Sequence, residues 1–224
     1  MTSRHMPRRS LLLAAPAALA FPTVLRAAPE RPAPITFTVF RGASQIGTHR
    51  VEFLQGGPDP VVEISIDLVV RFAGIPVYRY THRSREEWSG DRLRRLDSST
   101  DDSGTRTEVR ARAVADGLAV EGSGGSFLAP ADIKPTSYWM EDMTRRSRLL
   151  NTQEGIVIDV AARQTGTDRL TIAGTPVDIR VYEVTGDLNT RVGYAGSGDW
   201  VDLEFAARGS TIRYRRDRLS LGAG

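Results

Sequence analysis

From Val62 to Phe72 an apolar residue recurs at every second position. Val62, Ile64, Ile66, Leu68, Val70 and Phe72 are apolar, and Glu63, Ser65, Asp67 and Arg71 fall between them. Period two puts the apolar set on one face of an extended strand and the wetter set on the other. A strand of about twelve residues is roughly 40 Å long, about twice the ordinary length. Strands of that length must twist and coil, which favours a barrel or a strongly curved half-barrel over a flat sandwich.

The same period recurs on both sides of this segment. Ile35 to Phe40 and Ile46 to Phe53 flank Gly42-Ala43-Ser44-Gln45 and read as a hairpin. Tyr78 to Trp88 continues the alternation. Further strand-like runs are Leu93–Ser98, Thr105–Ala115, Leu118–Glu121, Ile156–Gln164, Arg169–Ala173, Val177–Val184, Leu188–Tyr194, Trp200–Ala206 and Thr211–Arg218. Turn signals such as Asp101-Asp102-Ser103-Gly104, Gly166-Thr167-Asp168 and Gly186-Asp187 separate them. The fold expected is all-β: a single long, curved antiparallel sheet, a half-barrel or open barrel of roughly ten to twelve strands. Only Pro135 to Leu150 breaks the pattern. Trp139, Met143 and Leu150 sit at helical spacing there, with acids early and arginines late, so one short helical segment is expected.

The first 27 residues read differently. Arg8-Arg9 precedes an apolar run from Leu11 to Leu25, an order that marks an export signal of the twin-arginine kind. Fifteen residues broken by Pro16 and Pro22 fall short of the roughly 20 that a spanning helix needs. The expected organisation is therefore a signal at 1–27, a proline-rich spacer at 28–34 (APERPAP) and one β-rich domain at 35–224. It implies the twin-arginine translocation machinery as a partner, a periplasmic or secreted location, and no transmembrane span after signal removal. Residues 1–27 carry four arginines and no acid, so the remainder holds 26 basic against 27 acidic residues. That balance gives no argument for nucleic-acid binding. The chain has no cysteine, which excludes disulfides, thiolate metal sites and cysteine nucleophiles.

No nucleophile elbow, zinc-protease motif, phosphate loop or dinucleotide fingerprint is present. Past residue 27 the histidines are His49 and His82, too few for a histidine-based metal site, and no cofactor is implied. The most suggestive stretch is Tyr78 to Trp88. As one strand it puts Tyr78, Tyr80, His82, Glu86 and Trp88 on a common face. Aromatic bodies with polar tips can line a ligand cavity, and Tyr138-Trp139 could cap it. The competing reading makes these aromatics ordinary core, since strands are rich in them. Asp97, Asp101, Asp102 and Glu108 are candidate paired carboxylates, although the Asp-Asp-Ser-Gly run is also a strong turn signal. Arg145-Arg146-Ser147-Arg148 could meet an anionic group, or simply complete a helical C-terminal turn.

Several phrases carry a family resemblance: ITFTVFRGASQIGTHRVEF, VVRFAGIPVYRYTHRSREEWSGDRLRRLDSSTDDSGTRTEVRA, PTSYWMEDMTRRSRLLNTQEG and AGTPVDIRVYEVTGDLNTRVGYAGSGDWVDLEFAARGSTIRYRRDRL. Together they span almost the whole chain after the spacer. They resemble an exported bacterial family, a domain of unknown function. In outline that family is similar to the curved half-barrels of envelope lipoprotein carriers. The resemblance implies a fold and an envelope location but no reaction. The leading expectation is a periplasmic binding or carrier protein for a hydrophobic or lipid-like ligand held by Tyr78, Tyr80, His82, Trp88, Tyr138 and Trp139. An envelope hydrolase using His82 or Glu86, and a structural or assembly module, are the alternatives.

Overall fold

The computed structural model describes residues 31–219, so the signal, residues 28–30 of the spacer and residues 220–224 at the end of the expected domain lie outside the described residues. The alternating segments form β1 (Ile35–Arg41), β2 (Ser44–Gln55), β3 (Val61–Phe72), β4 (Ile75–Ser89), β5 (Arg92–Asp102), β6 (Thr105–Val114), β7 (Gly117–Gly122) and β8 (Gly125–Ala129). After the short β9 (Lys134–Pro135) and β10 (Arg148–Leu150) come β11 (Val157–Ile172), β12 (Thr175–Gly186), β13 (Thr190–Ala195), β14 (Trp200–Ala207) and β15 (Ser210–Arg216). All fifteen belong to one sheet, in the order β8-β7-β6-β5-β4-β3-β2-β1-β15-β14-β13-β12-β11-β10-β9. The sheet is long, curved and antiparallel apart from the β9–β10 pair, as the alternation implied.

Three details differ from the sequence reading. There are fifteen strands rather than ten to twelve, because β8, β9 and β10 are too short to show a period. The Gly166-Thr167-Asp168 turn is instead a register shift between Gln164 and Gly166 within the sixteen-residue β11. The Pro135–Leu150 helix reduces to one 3-10 helix, Glu141–Arg145, between β9 and β10. Pro135 itself is a strand residue, and Tyr138 adopts a left-handed φ of 63° that no α-helix accommodates.

The sheet is open but tightly curled. β8 and β9 lie at its opposite edges, yet only residues 130–133 join them. Such a link spans at most about 17 Å. The remaining seam is sealed by the loop after β10. Glu154 O accepts from Ser123 N at 2.7 Å, and Gln153 O accepts from Thr107 Oγ1 at 2.6 Å. Backbones meet closely there: a Cβ on Gly122 would lie 2.5 Å from Glu154 O, so only glycine fits.

The inward-facing residues form one continuous core around Phe37, Val39, Val62, Leu96, Leu149, Leu150, Val192 and Trp200. The hairpin turns define two ends of the curled sheet. The β1–β2, β3–β4, β5–β6 and β14–β15 turns lie at one end; the β4–β5, β6–β7 and β11–β12 turns lie at the other.

Candidate functional site

The segment between β9 and β10 runs through the lumen and divides it. Tyr194 on β13 donates from its hydroxyl to Tyr138 O at 2.9 Å, and the Tyr138 ring stacks on Trp200 at 5.4 Å and 23°. Those contacts hold Tyr138 in its left-handed conformation. The 3-10 helix is fixed by Glu141. Its carboxylate accepts from Arg180 Nε and Nη2 at 2.8 and 2.7 Å and from Tyr182 Oη at 2.9 Å. The Arg180 hydrogen bonds hold the Glu141 carboxyl below its ordinary range.

One half of the lumen, toward the β4–β5 turn, is filled. Trp139 packs edge-on against Trp88 and Phe53, at 5.7 and 5.4 Å. Both indole N–H groups donate to Glu86 Oε2 at 3.1 Å, and the Ser137 hydroxyl donates to Glu86 Oε1. Glu86 is fully buried, and burial raises its pKa against those three hydrogen bonds. Lys134, the only lysine of the chain, is buried beside this cluster with its ammonium 5.3 Å from the Trp88 ring.

The other half, toward the β3–β4 turn, is hollow. It holds a cavity of about 380 Å³. Its walls are Ile46, Ile64, Ile66, Leu68 and Val70 on one side and Leu203, Phe205 and Ile212 on the other. Its floor is Ser137-Tyr138 with the two histidines, and Arg41 and Arg208 stand at its mouth. Its polar lining carries no charge in the interior. Burial, with His82 nearby, lowers the His49 pKa to about 3; burial, with Arg83 nearby, lowers that of His82 to about 4. Burial also raises the hydroxyls of Tyr80, Tyr138 and Tyr214 well above their ordinary value. Two neutral imidazoles and several phenols therefore offer donors and acceptors inside otherwise apolar walls. His82 Nδ1 sits 2.9 Å from Thr100 Oγ1, but neither ring nitrogen of His49 has a partner among the described residues.

Of the residues expected to bind a ligand, Tyr78, Tyr80, His82 and Tyr138 line this cavity together. Trp88 and Trp139 lie in the filled half instead, pinned to Glu86. Glu86 shares their strand face but reaches no cavity, and its oxygens are engaged by three donors. The sequence reading did not single out His49, Tyr214, Arg41 or Arg208. His49 faces inward by plain alternation with Val51 and Phe53, while a register shift opposite Val39 and Phe40 gives β2 an extra residue and brings Ile46 to the same face. The candidate acids are surface groups: Asp97 pairs with Arg95 and Arg112, Asp101 with Arg106, and Glu108 with Arg110. Asp102 meets Arg208 at 3.3 Å, and Arg146 is tied to Asp142 and Asp132. A second, more open groove of about 540 Å³ crosses the outer face of β3 to β6, but its charged walls pair with each other, as in Arg85–Glu63. Among the described residues no cluster of three His, Asp or Glu side chains is placed to hold a metal, and no helix is long and apolar enough to cross a membrane.

A curled, open antiparallel meander with a ligand-sized hollow in its lumen is a β-barrel-like protein. More particularly, the chain belongs to the family described as Domain of unknown function (DUF6134), whose signature matches residues 37–217. Among solved structures it is similar to a β-barrel-like protein of domain of unknown function DUF1849 from Brucella abortus. That similarity has a TM-score of 0.59 at 11% identity and covers 87% of this chain and 99% of the other. At that identity the likeness speaks for the fold alone. No curated protein matches the chain in sequence.

Proposed function

We propose that this protein binds and carries an apolar, lipid-like ligand in the hollow half of its lumen, working in the cell envelope after export through the twin-arginine route. The observation that carries this reading is the cavity itself: about 380 Å³, walled by aliphatic and aromatic side chains, with a buried and unpartnered His49 at its floor. Ligand sites have this size and this mixture of apolar wall and few polar anchors. A buried polar group without a partner costs about 1–3 kcal/mol, and a ligand hydroxyl or carbonyl at the floor would recover it. The ligand this favours has an apolar body and an uncharged hydrogen-bonding end directed at His49, His82 and Tyr138.

The test is native mass spectrometry of the protein purified from its own envelope, set against the denatured mass. A small-molecule adduct lost on denaturation, and lost again in a Leu68→Trp variant that fills the cavity, is the expected result. A folded protein that carries no adduct and takes up no apolar fluorophore would overturn the reading.

A further inference from the structure

The β3–β4 hairpin outruns its neighbours. β2 pairs with β3 only as far as Leu68, and β5 pairs with β4 only from Tyr80 onward. Arg79 still exchanges hydrogen bonds with Ser103, so residues 69–78 form a two-stranded ribbon without lateral strand partners, about 13 Å long beyond the sheet at roughly 3.3 Å per residue. At its tip Phe72 is 77% exposed, Ile75 66% and Val77 60%, the most exposed large apolar side chains among the described residues. The tip owes none of this to its turn. The β11–β12 hairpin turns through the same Ala-Gly pair, with φ of 49° and 84° at Ala173 and Gly174 against 47° and 82° at Ala73 and Gly74. There the flanking Ile172 is buried, packed with Ile179, Val181 and Val201.

We infer that the β3–β4 ribbon is a membrane-docking element that seats its apolar tip in the interface of an anionic bilayer. Charge selects that occupant. The ribbon from Leu68 to Tyr80 contains Arg71 and Arg79 and no acid. Arg41 and Arg208 stand at the same end, and the nearby acids Asp101 and Asp102 already face Arg106 and Arg208. Exposed phenylalanine and aliphatic side chains ringed by arginine match the acyl–headgroup boundary of a negatively charged leaflet. A stable protein interface asks for about 800 Å² of complementary surface per partner, which the end of one two-stranded ribbon does not offer. A bilayer asks for no shape complementarity at all. Val70, Val77 and Tyr78 belong both to the ribbon and to the cavity lining, so docking would lay the cavity mouth against the membrane. That consequence rests on the carrier reading; the docking does not.

The chain has no cysteine, so Ala73→Cys gives the full-length protein a single thiol at the tip, and Ala173→Cys gives a matched control in the opposite hairpin. Each is labelled with an environment-sensitive nitrobenzoxadiazole dye and mixed with vesicles of phosphatidylglycerol or of phosphatidylcholine. The expected result is a blue shift with a several-fold rise in emission for the Ala73→Cys label on phosphatidylglycerol only, weakened by salt, and no response from the Ala173→Cys label. Phe72→Ser with Ile75→Ser in the Ala73→Cys background should weaken the vesicle affinity reported by the tip dye at least about tenfold, given the apolar area removed. A tip label that stays in a water-like environment on phosphatidylglycerol overturns the inference. So do equal responses from the two labels, or a tip response to an envelope protein fraction but not to vesicles. Ligand mass is read separately, so an empty cavity with a docking tip, or a loaded cavity with an inert tip, separates the two proposals.

Discussion

The two halves of the lumen are built by the same strands and end up as opposites. β4 sends Glu86 and Trp88 into the filled half and Tyr78, Tyr80 and His82 into the hollow one. β2 sends Phe53 one way and Ile46 and His49 the other. In the filled half the buried carboxylate of Glu86 accepts three hydrogen bonds, whereas in the hollow half the imidazole of His49 makes none. The difference is made by the crossing segment. Ser137 and Trp139 turn toward Glu86, and the left-handed Tyr138 between them closes the floor of the cavity. Satisfied polar groups specify a packed core, while a buried polar group left unsatisfied beside open space calls for an explanation, which the proposed ligand supplies.

The contrast breaks most directly at Trp139. Trp139→Ala removes an indole wedged between Trp88 and Phe53 and one donor to Glu86, and should cost about 3 kcal/mol or more in chemical denaturation. If it costs under about 1 kcal/mol, the filled half is not a packed core. Glu86 sharpens the point. Glu86→Ala strands three donors and should cost about 2–3 kcal/mol. Glu86→Gln keeps an oxygen for the two indoles, lets Ser137 accept instead of donate, and should unfold at nearly the wild-type denaturant midpoint.

The halves should also titrate in opposite directions. The folded pKa values of His49 and His82, about 3 and about 4, lie below the 6.5 of a free imidazole. Between those limits the unfolded chain takes up protons that the folded one refuses, so this contribution is full above pH 6.5 and is lost as the pH falls toward 4. Glu86 has its pKa raised from 4.5, so its folded form keeps a proton that the unfolded chain has released, and its contribution declines as the pH rises above 4.5. Denaturation midpoints from pH 4 to 8 should show the acid-side loss, a few kcal/mol in size, shrinking in His49→Phe. The alkaline-side loss should vanish in Glu86→Gln. An unchanged acid limb in His49→Phe would mean that His49 is solvated and the floor is wet.

Much of the frame was legible because period two is a local property. The alternation from Val62 to Phe72 became β3, and the common face of Tyr78, Tyr80, His82, Glu86 and Trp88 is inward in the folded strand. What the alternation does not carry is which half of the lumen a residue joins, because that is set by the aperiodic chain from residue 134 to 155. The four-residue crossing from β8 to β9, the Gly122–Gly155 contact at the seam and the left-handed Tyr138 are non-local solutions with no period to read. His49 fell between the two cases. Its strand and its inward face, shared with Val51 and Phe53, were readable, but the open space beside it was not.

The smallest effect tests the hollow half most closely. His49 meets Trp200, Tyr214 and Phe37 edge-on at 5.1, 5.6 and 6.5 Å, contacts that a phenyl ring can keep. His49→Phe therefore removes the unpartnered ring nitrogens and adds one ring carbon, for which the adjoining cavity leaves room, and the ligand-free protein should gain about 1 kcal/mol near neutral pH. The loaded protein should lose a similar amount of ligand affinity, so that one substitution stabilises the empty state while weakening the full one. That opposition is the signature of a polar group kept unsatisfied for a ligand. If His49→Phe destabilised the empty protein and left adduct mass unchanged, the imidazole would be a packing residue, and the hollow half would differ from the filled half only in how well it is packed.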